Sequence, residues 1–416
     1  MEGPAAVSQQ AEVAAGTPAD VARRAGAPSG DGGRTRLPDM TYTEHETELR
    51  SAVRSVLEDL AGFGAVLART ETPQTYDTTL WRTLAGAVGC AGLLIPESLG
   101  GAGASFREAA VVAEEAGRAL APVPFLGSAV LATVALLAAD SDRARELLTE
   151  LAGGTATAAL AVPFASMPGA SRGPTVRIGP HADGDRDGTY RLSGSVAGVA
   201  DALPADVLIV PADGVPTGLL AVRTAEAGAT VTPVVSLDMT RQLADISLDN
   251  VPATRISAGQ PAEQAVAAGL QAGAAMLAAE QVGLADHALE ITLAYVKQRY
   301  QFARPVGSFQ AIKHRLADWW VAVTQARAAS RYAAACLTEA DPDTPVAVAL
   351  AKAACSDTAV LAAQEMIQLH GGIGFTWEHP AHLFLKRAKS TSIALGTADR
   401  HRATLTRLAD LPPPPA

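Results

Sequence analysis

The segment Arg299–Gln310 reads RYQFARPVGSFQ and lies between two long helical patterns. It follows a long helical pattern of apolar residues and opens another one, with a Pro-Val-Gly turn between them. It also supplies two guanidinium groups, from Arg299 and Arg304. A guanidinium binds phosphate in a bidentate manner, and a helix N-terminus adds free N–H groups and a favourable dipole. The stretch therefore predicts a helix hairpin with a diphosphate site. A solvated hairpin with surface arginines is the alternative.

The composition indicates an Ala-rich globular protein of two to three domains. The chain has 416 residues, of which 48% are hydrophobic and only 4% aromatic, so its core is built largely from Ala, Leu and Val. A net charge of −10 and the lack of basic runs disfavour a nucleic-acid partner. Cys90, Cys336 and Cys355 lack the spacing of a zinc site or a disulfide framework. We therefore predict small buried thiols, no metal and a reducing compartment.

Membrane and targeting signals are weak. The Ala-rich segments 126–139 and 262–284 are interrupted by polar residues or glycine, so no apolar run reaches the length of a membrane span. The first 40 residues lack an apolar signal core and mix acids with arginine. We therefore expect a cytoplasmic protein without a membrane span.

Three regions of different periodicity follow an N-terminal tail. Residues 1–40 are rich in Ala, Gly and Pro, which predicts a disordered tail. Residues 41–153 show helical spacing, residues 154–258 hold short β-rich runs between turn residues, and helical spacing returns over 259–410. The predicted fold class is mainly α with a central β-domain: an N-terminal helical domain, a middle β-barrel and a C-terminal four-helix bundle. The long helices predicted in the last region are 262–298, 310–338, 344–370 and 381–408.

Two further stretches have the composition of ligand-binding turns. The segment Gln368–Phe375 reads QLHGGIGF, and its glycines allow close approach of the backbone to a ligand. A helix C-cap is the alternative, although a cap needs only one glycine. The segment Ile393–Asp399 reads IALGTAD and pairs Gly with Thr at a helix end, which also fits a plain N-cap.

Taken together, these motifs resemble those of the acyl-CoA dehydrogenase family of flavoproteins. RYQFARPVGSFQ resembles the family pattern R-x-x-F-x(6)-F-Q, and QLHGGIGF resembles Q-x-x-G-G-x-G. GLLIPESLGGAGASF resembles a segment of the family's N-terminal domain, and ALGTADRHR resembles the region around its C-terminal E-G-T. The resemblance spans about 43–408 and includes the helix–strand–helix order.

The resemblance implies FAD, bound between the subunits of a homotetramer or heterotetramer. It implies α,β-dehydrogenation of an acyl thioester in fatty acid metabolism, in which a carboxylate removes the α-proton while hydride passes to the flavin. The implied partners are an acyl-CoA or acyl-carrier thioester, an electron-transfer flavoprotein, and a second copy or a paralogous subunit. The implied cofactor-binding residues are Arg299, Phe302, Gln310, Gln368, Gly371, Gly372 and Thr397.

The catalytic base departs from the family pattern. Leu395 replaces the Glu of E-G-T, and the alternative base position on the preceding long helix falls at Gly273. Glu280 and Asp399 are candidate substitutes, but they lie roughly 10 Å and 6 Å along a helix from the base positions. Each also fits a solvated or capping acid. The catalytic residue is therefore unassigned.

Three hypotheses follow for the function. The first is an FAD-dependent dehydrogenase with a relocated base. The second is a non-catalytic subunit that shares FAD sites with a catalytic paralogue in a mixed oligomer. The third is a binding or scaffold protein that has lost the flavin. Flavin colour in the purified protein, and bleaching of that colour by acyl-CoA without a partner, distinguish them.

Overall fold

The structure is a computed structural model that describes residues 38–74, 76–169, 175–179 and 189–409. The tail predicted over 1–40 lies almost wholly outside these residues. Helices come first, strands follow, and helices return, so the predicted fold class is confirmed. The helices before the strands are α1 Glu44–Leu60, α2 Phe63–Thr70, α3 Thr78–Ala87, α4 Phe106–Arg118, α5 Thr133–Ala139 and α6 Asp142–Ala152, with a π-helical segment, Phe125–Ala132, leading into α5.

Helix α1 begins at a capping box. The Thr43 hydroxyl accepts from the Glu46 N–H, and the Glu46 carboxylate accepts from the Thr43 N–H. The same carboxylate is paired with Arg331 at 2.7 Å and with Arg107 at 2.8 Å. These cations hold the pKa of Glu46 down at about 2, against the opposing effect of burial, which is the largest single contribution. The start of α1 is thereby joined to a later helix of the chain.

The central region is one seven-stranded sheet. Its strands are β1 Ala158–Leu160, β2 Val176–Ile178, β3 Thr189–Ala200, β4 Val207–Asp213, β5 Gly218–Arg223, β6 Ala229–Val234 and β7 Leu243–Ala258. Strand β4 pairs in parallel with β1 and β2 and antiparallel with β5. Antiparallel pairs β2–β3, β3–β7 and β7–β5 complete a closed ring, and β6 adds to β7. Apolar side chains of alternate residues fill the ring, because successive strand residues point to opposite faces.

The C-terminal region is built on one long helix, α7, Gln260–Gln298. A two-stranded turn, β8 Tyr300–Gln301 and β9 Arg304–Pro305, joins it to the next helix. The remaining helices are α8 Gln310–Thr338, α9 Thr344–His370, α10 Ala381–Ile393 and α11 Ala398–Leu408. The helix predicted over 381–408 is wrong in one respect: it is two helices, separated by the turn that carries Leu395 and Gly396.

Helices α4 and α7 cross at backbone contact. A Cβ placed on Gly283 would lie 1.8 Å from the carbonyl oxygen of Glu114, and one on Gly117 would lie 2.0 Å from that of Glu280. Only glycine fits at either position. The crossing therefore joins the N-terminal helices to the core of the C-terminal bundle.

One helical stretch, Thr344–Phe375, is long and apolar enough to cross a membrane, so the sequence reading that no run reaches this length was wrong. However, 67% of its apolar window is buried inside the protein. A buried core helix meets the same criteria, so this stretch is weak evidence of a span.

Candidate functional site

A cleft of about 570 Å³ lies where the α7–α8 turn meets the C-terminal end of α9. Its wall includes Arg299 from the turn, Gln368 from the last turn of α9, and Gly371 and Gly372 just beyond it. A Cβ added to either glycine would meet no atom within 4 Å, so the backbone faces open space there. Four of the residues predicted to bind the cofactor therefore lie around one cavity.

The charges of this cleft suit an anion. In the part of the chain that the structure describes, no acid pairs with the exposed guanidinium of Arg299. Arg315, which was not predicted from the sequence, also lines the cleft. Its guanidinium donates two hydrogen bonds, of 2.7 and 2.8 Å, to the Glu365 carboxylate. The donors and open backbone fit the diphosphate and ribose of a dinucleotide.

The other three predicted residues lie outside the cleft wall. The Phe302 side chain is 87% exposed and packs edge-on against Phe309, with ring centroids 6.3 Å apart. Gln310 is the exposed first residue of α8. Thr397 is the N-cap of α11, where its hydroxyl accepts from the Arg400 N–H. Among the residues that the structure describes, these three do not belong to the wall of the cleft that contains Arg299.

A second region brings the two positions of the family's base together. A Cβ added to Gly273 would lie 3.2 Å from Cδ1 of Leu395 and 2.3 Å from Cδ2 of Leu131. The three heavy atoms nearest to that Cβ all belong to these two leucines. Leu395 is fully buried and adopts a positive φ of 52°. Aliphatic carbon therefore fills the place where a carboxylate side chain would enter from either position.

Three other residues hydrogen-bond to the turn that carries Leu395. Its N–H donates to the Phe164 carbonyl at 2.8 Å, and its carbonyl accepts from His401 Nε2 at 2.9 Å. The next carbonyl, that of Gly396, accepts from the buried Lys352 amine at 3.2 Å. The same amine donates to Thr391 O and Ser356 Oγ. Burial lowers the pKa of Lys352 to about 7 and that of His401 to about 4.

Neither candidate substitute for the base points into this region. The Glu280 carboxylate is buried and paired with Arg241 at 2.6 Å and with Arg387 at 3.4 Å. Asp399 is almost fully exposed and is paired with Arg402 at 2.9 Å. Glu280 is therefore a buried acid held in ion pairs, and the prediction that it is a solvated or capping residue was wrong. Asp399 is a solvated acid, as the same alternative predicted.

Comparison with known proteins gives matches to both helical regions of the chain. The family model described as "Acyl-CoA dehydrogenase, N-terminal domain" matches residues 43–155, and "Acyl-CoA dehydrogenase, C-terminal domain" matches residues 263–409. Acyl-CoA dehydrogenase IpdE2 of Mycobacterium tuberculosis (strain ATCC 25618 / H37Rv) is 38% identical over 369 residues, which cover 89% of this chain and 98% of that protein. Acyl-CoA dehydrogenase FadE27 of the same strain is 30% identical over 386 residues, covering 90% of this chain and 100% of that protein.

Solved structures agree. A variant of the Tcur3481–Tcur3483 steroid ACAD is 31% identical with a TM-score of 0.77, covering 88% of this chain and 98% of that chain. The ChsE4–ChsE5 complex from Mycobacterium tuberculosis is 27% identical with a TM-score of 0.78, covering 90% of this chain and 100% of that chain. The resemblance found in the motifs is thus confirmed. The chain belongs to the acyl-CoA dehydrogenase family of flavin-dependent oxidoreductases.

Proposed function

We propose that this chain takes part in the α,β-dehydrogenation of an acyl-CoA thioester as a site-sharing subunit. In this proposal it completes an FAD site on a paralogous subunit, and that partner carries the catalytic carboxylate. The observation that carries the proposal is the contact of Leu395 and Leu131 with the Gly273 position. Leucine and glycine side chains cannot accept a proton, so in this proposal the partner chain supplies the base.

The length of α7 supports the sharing of a site. Gly273 lies in the N-terminal half of the helix, and Arg299 follows its last residue. At about 1.5 Å per residue, the two positions are about 39 Å apart along the axis. One extended dinucleotide cofactor does not span that distance. The cleft at Arg299 and the region at Leu395 therefore serve different cofactor sites, and the cleft serves a neighbouring subunit.

The residues of the cleft fit the adenosine diphosphate part of FAD. Arg299 offers an exposed guanidinium for the diphosphate, Gln368 offers an amide, and Gly371 and Gly372 allow the backbone to approach closely. Phe302, Gln310 and Thr397 remain proposed cofactor contacts of the assembled oligomer. When bound, FAD supplies the hydride acceptor of the reaction. The residues of this chain bind and orient it.

Two similar proteins of known structure have names that join two components, Tcur3481–Tcur3483 and ChsE4–ChsE5. This supports a mixed oligomer for the present chain. An active dehydrogenase with a relocated base stays a prediction, and the ion pairs of Glu280 and the exposure of Asp399 offer it no base. The electron-transfer flavoprotein acceptor, the role in fatty acid metabolism and the cytoplasmic location stay predictions from the family.

The test is co-expression with a paralogue that carries the Glu of E-G-T, followed by purification and flavin spectroscopy. We expect a stable complex that retains FAD and whose flavin is bleached by acyl-CoA, whereas this chain alone does not bleach. Bleaching of flavin by this chain alone would overturn the proposal.

A matched pair of variants tests the cleft. Arg299→Ala removes a charged hydrogen-bond donor that is worth about 1.5–3 kcal/mol, so the complex should bind FAD at least about tenfold more weakly. Arg145→Ala is the control, because that guanidinium lies on α6, where it pairs with Asp140 and Asp142, and does not line the cleft. Equal FAD affinity in the two variants would contradict the proposed use of the cleft.

A further inference from the structure

A second cavity, of about 230 Å³, lies where α1, α2, α4, α7 and α10 meet. His287 of α7 forms part of its wall. Along α7, this residue is about 21 Å from Gly273 and about 18 Å from Arg299. The cavity is therefore separate from both regions described above, and the proposed function makes no use of it.

The floor of the cavity is apolar. It is formed by buried side chains of α1, α2 and α10 and of the segment just after α4, namely Leu57, Val66, Leu120, Leu383 and Phe384. An apolar cavity of about 150 Å³ is large enough to stay dry and bind benzene. The present cavity is larger, so it has room for a substituted six-membered ring.

One polar group of the wall is open. The Nδ1–H of His287 donates to the Arg118 carbonyl at 2.6 Å, and the ring packs edge-on against Phe384 with centroids 5.8 Å apart. Burial lowers the pKa of His287, so the neutral ring is favoured and Nε2 carries a lone pair. Within the described residues, no donor reaches this atom. An occupant with a hydroxyl group would satisfy it.

The two arginines around the cavity are already paired with carboxylates. Arg54 is paired with Glu115 at 2.8 Å, and Arg118 is paired with Glu290 at 2.6 Å. An anionic occupant would have to displace these carboxylates. The structure therefore favours an uncharged ligand over an acid.

We propose that this cavity binds a small uncharged molecule with a ring-sized hydrocarbon body and one hydroxyl group, an alcohol or a phenol. The hydrocarbon body rests on the leucine and phenylalanine floor, and the hydroxyl donates to His287 Nε2. Such a ligand contacts helices of the N-terminal and C-terminal regions at once. Its binding therefore also raises the melting temperature of the chain.

The test uses p-cresol and p-xylene, which have the same shape but differ in the hydroxyl group. Calorimetry on the purified chain should show that p-cresol binds about fivefold more tightly than p-xylene. In His287→Phe, which keeps an aromatic ring against Phe384, both probes should bind equally. In Val66→Trp, which fills the floor, both should lose binding.

The variants must melt within a few degrees of the parent protein for this comparison. If His287→Phe does not fold, His287→Leu, which also removes the acceptor, replaces it, and Val66→Phe replaces Val66→Trp if that variant does not fold. The proposal is overturned if neither probe binds at millimolar concentration, or if Val66→Trp or Val66→Phe leaves p-cresol binding unchanged. Because the assay needs neither flavin nor a partner, its failure leaves the proposed function untouched.

Discussion

The variant Glu280→Gln tests whether the role of Glu280 is structural or catalytic. The carboxylate is 5% exposed and lies between two guanidinium groups, at 2.6 Å from Arg241 and 3.4 Å from Arg387. Glutamine keeps the shape and the hydrogen-bond acceptor but removes the negative charge. Asp238, at 3.1 Å from Arg387, and the buried Asp201 are then the acids left to balance two buried cations.

Removal of one partner from a buried ion pair costs about 3–5 kcal/mol, because a buried charge is left uncompensated. The unfolding entropy grows with chain length, so for a chain of this size 1 kcal/mol corresponds to about 1–2 °C. We therefore expect Glu280→Gln to lower the melting temperature on the order of 5 °C, measured by far-ultraviolet circular dichroism. Any loss of turnover in a complex should follow this loss of stability.

Glu290→Gln is the matched control on the same helix. Glu290 is 60% exposed and is paired with Arg118 at 2.6 Å. A surface pair is worth about 0–1 kcal/mol, so its loss should lower the melting temperature by about 1 °C or less. The reasoning fails if the two variants melt at the same temperature. Loss of turnover in Glu280→Gln without any change in melting would instead identify Glu280 as a catalytic acid or base.

Three further predictions concern the helix crossing, Lys352 and Asp399. Gly283→Ala should prevent folding or lower stability by more than about 3 kcal/mol, since the new Cβ would meet the Glu114 carbonyl at 1.8 Å. Gly86→Ala, with no atom within 4 Å in another helix, should be neutral or stabilising by up to about 1 kcal/mol in urea denaturation. The pKa of Lys352 is about 7 in the folded chain, below its usual value of 10.5, so the folded state binds fewer protons above pH 7. Unfolding free energy should then rise with pH by up to about 1.4 kcal/mol per unit between pH 7 and 9, and Lys352→Met should lack this increase. Asp399→Asn should change melting by less than about 1 °C and leave flavin bleaching by the complex unchanged, because Asp399 is 93% exposed.

The element order and most helix bounds can be predicted from the sequence, because they depend on local periodicity. The helices predicted over 310–338 and 344–370 have those bounds in the structure. Periodicity did not predict the turn at Leu395. The segment IALGT contains only one glycine, and Leu395, the residue before that glycine, adopts a positive φ that is normally found at glycine. The π-helical segment with Leu131 was also missed, because its repeat differs from that of an α-helix.

The ion-pair partners of the buried charged residues could not be predicted from the sequence. Glu114 and Glu115 stand opposite the apolar residues of α4, which indicates a solvated face. In the structure both are buried, where Arg50 approaches each of them at 2.6 Å. Spacing along a helix reports which residues share a face, but not which other helix covers it. The same limit applies to Glu280 and Arg241, which come from different regions of the chain.

The cleft at Arg299 also could not be predicted from the spacing of residues along the chain. Arg299 and Gln368 were connected only through the resemblance to a family, since no spacing rule relates a turn after α7 to the end of α9. Arg315 was missed for a related reason. The sequence predicts that a cation on an exposed helical face is solvated. The position of Arg315 beside the cleft depends on the packing of α8 against α9, which the sequence does not report.

The leucines beside Gly273 make two distant positions of the chain interdependent. The volume that a side chain on α7 would need is already taken by Leu131 and Leu395. Gly273→Ala in the parent protein should therefore be costly, yet the same change should be nearly free once Leu131 is shortened to alanine. Sequence drift at any of these three positions alters what the other two can accept. A carboxylate side chain at Gly273 would therefore require changes at Leu131 and Leu395 as well, rather than a single substitution.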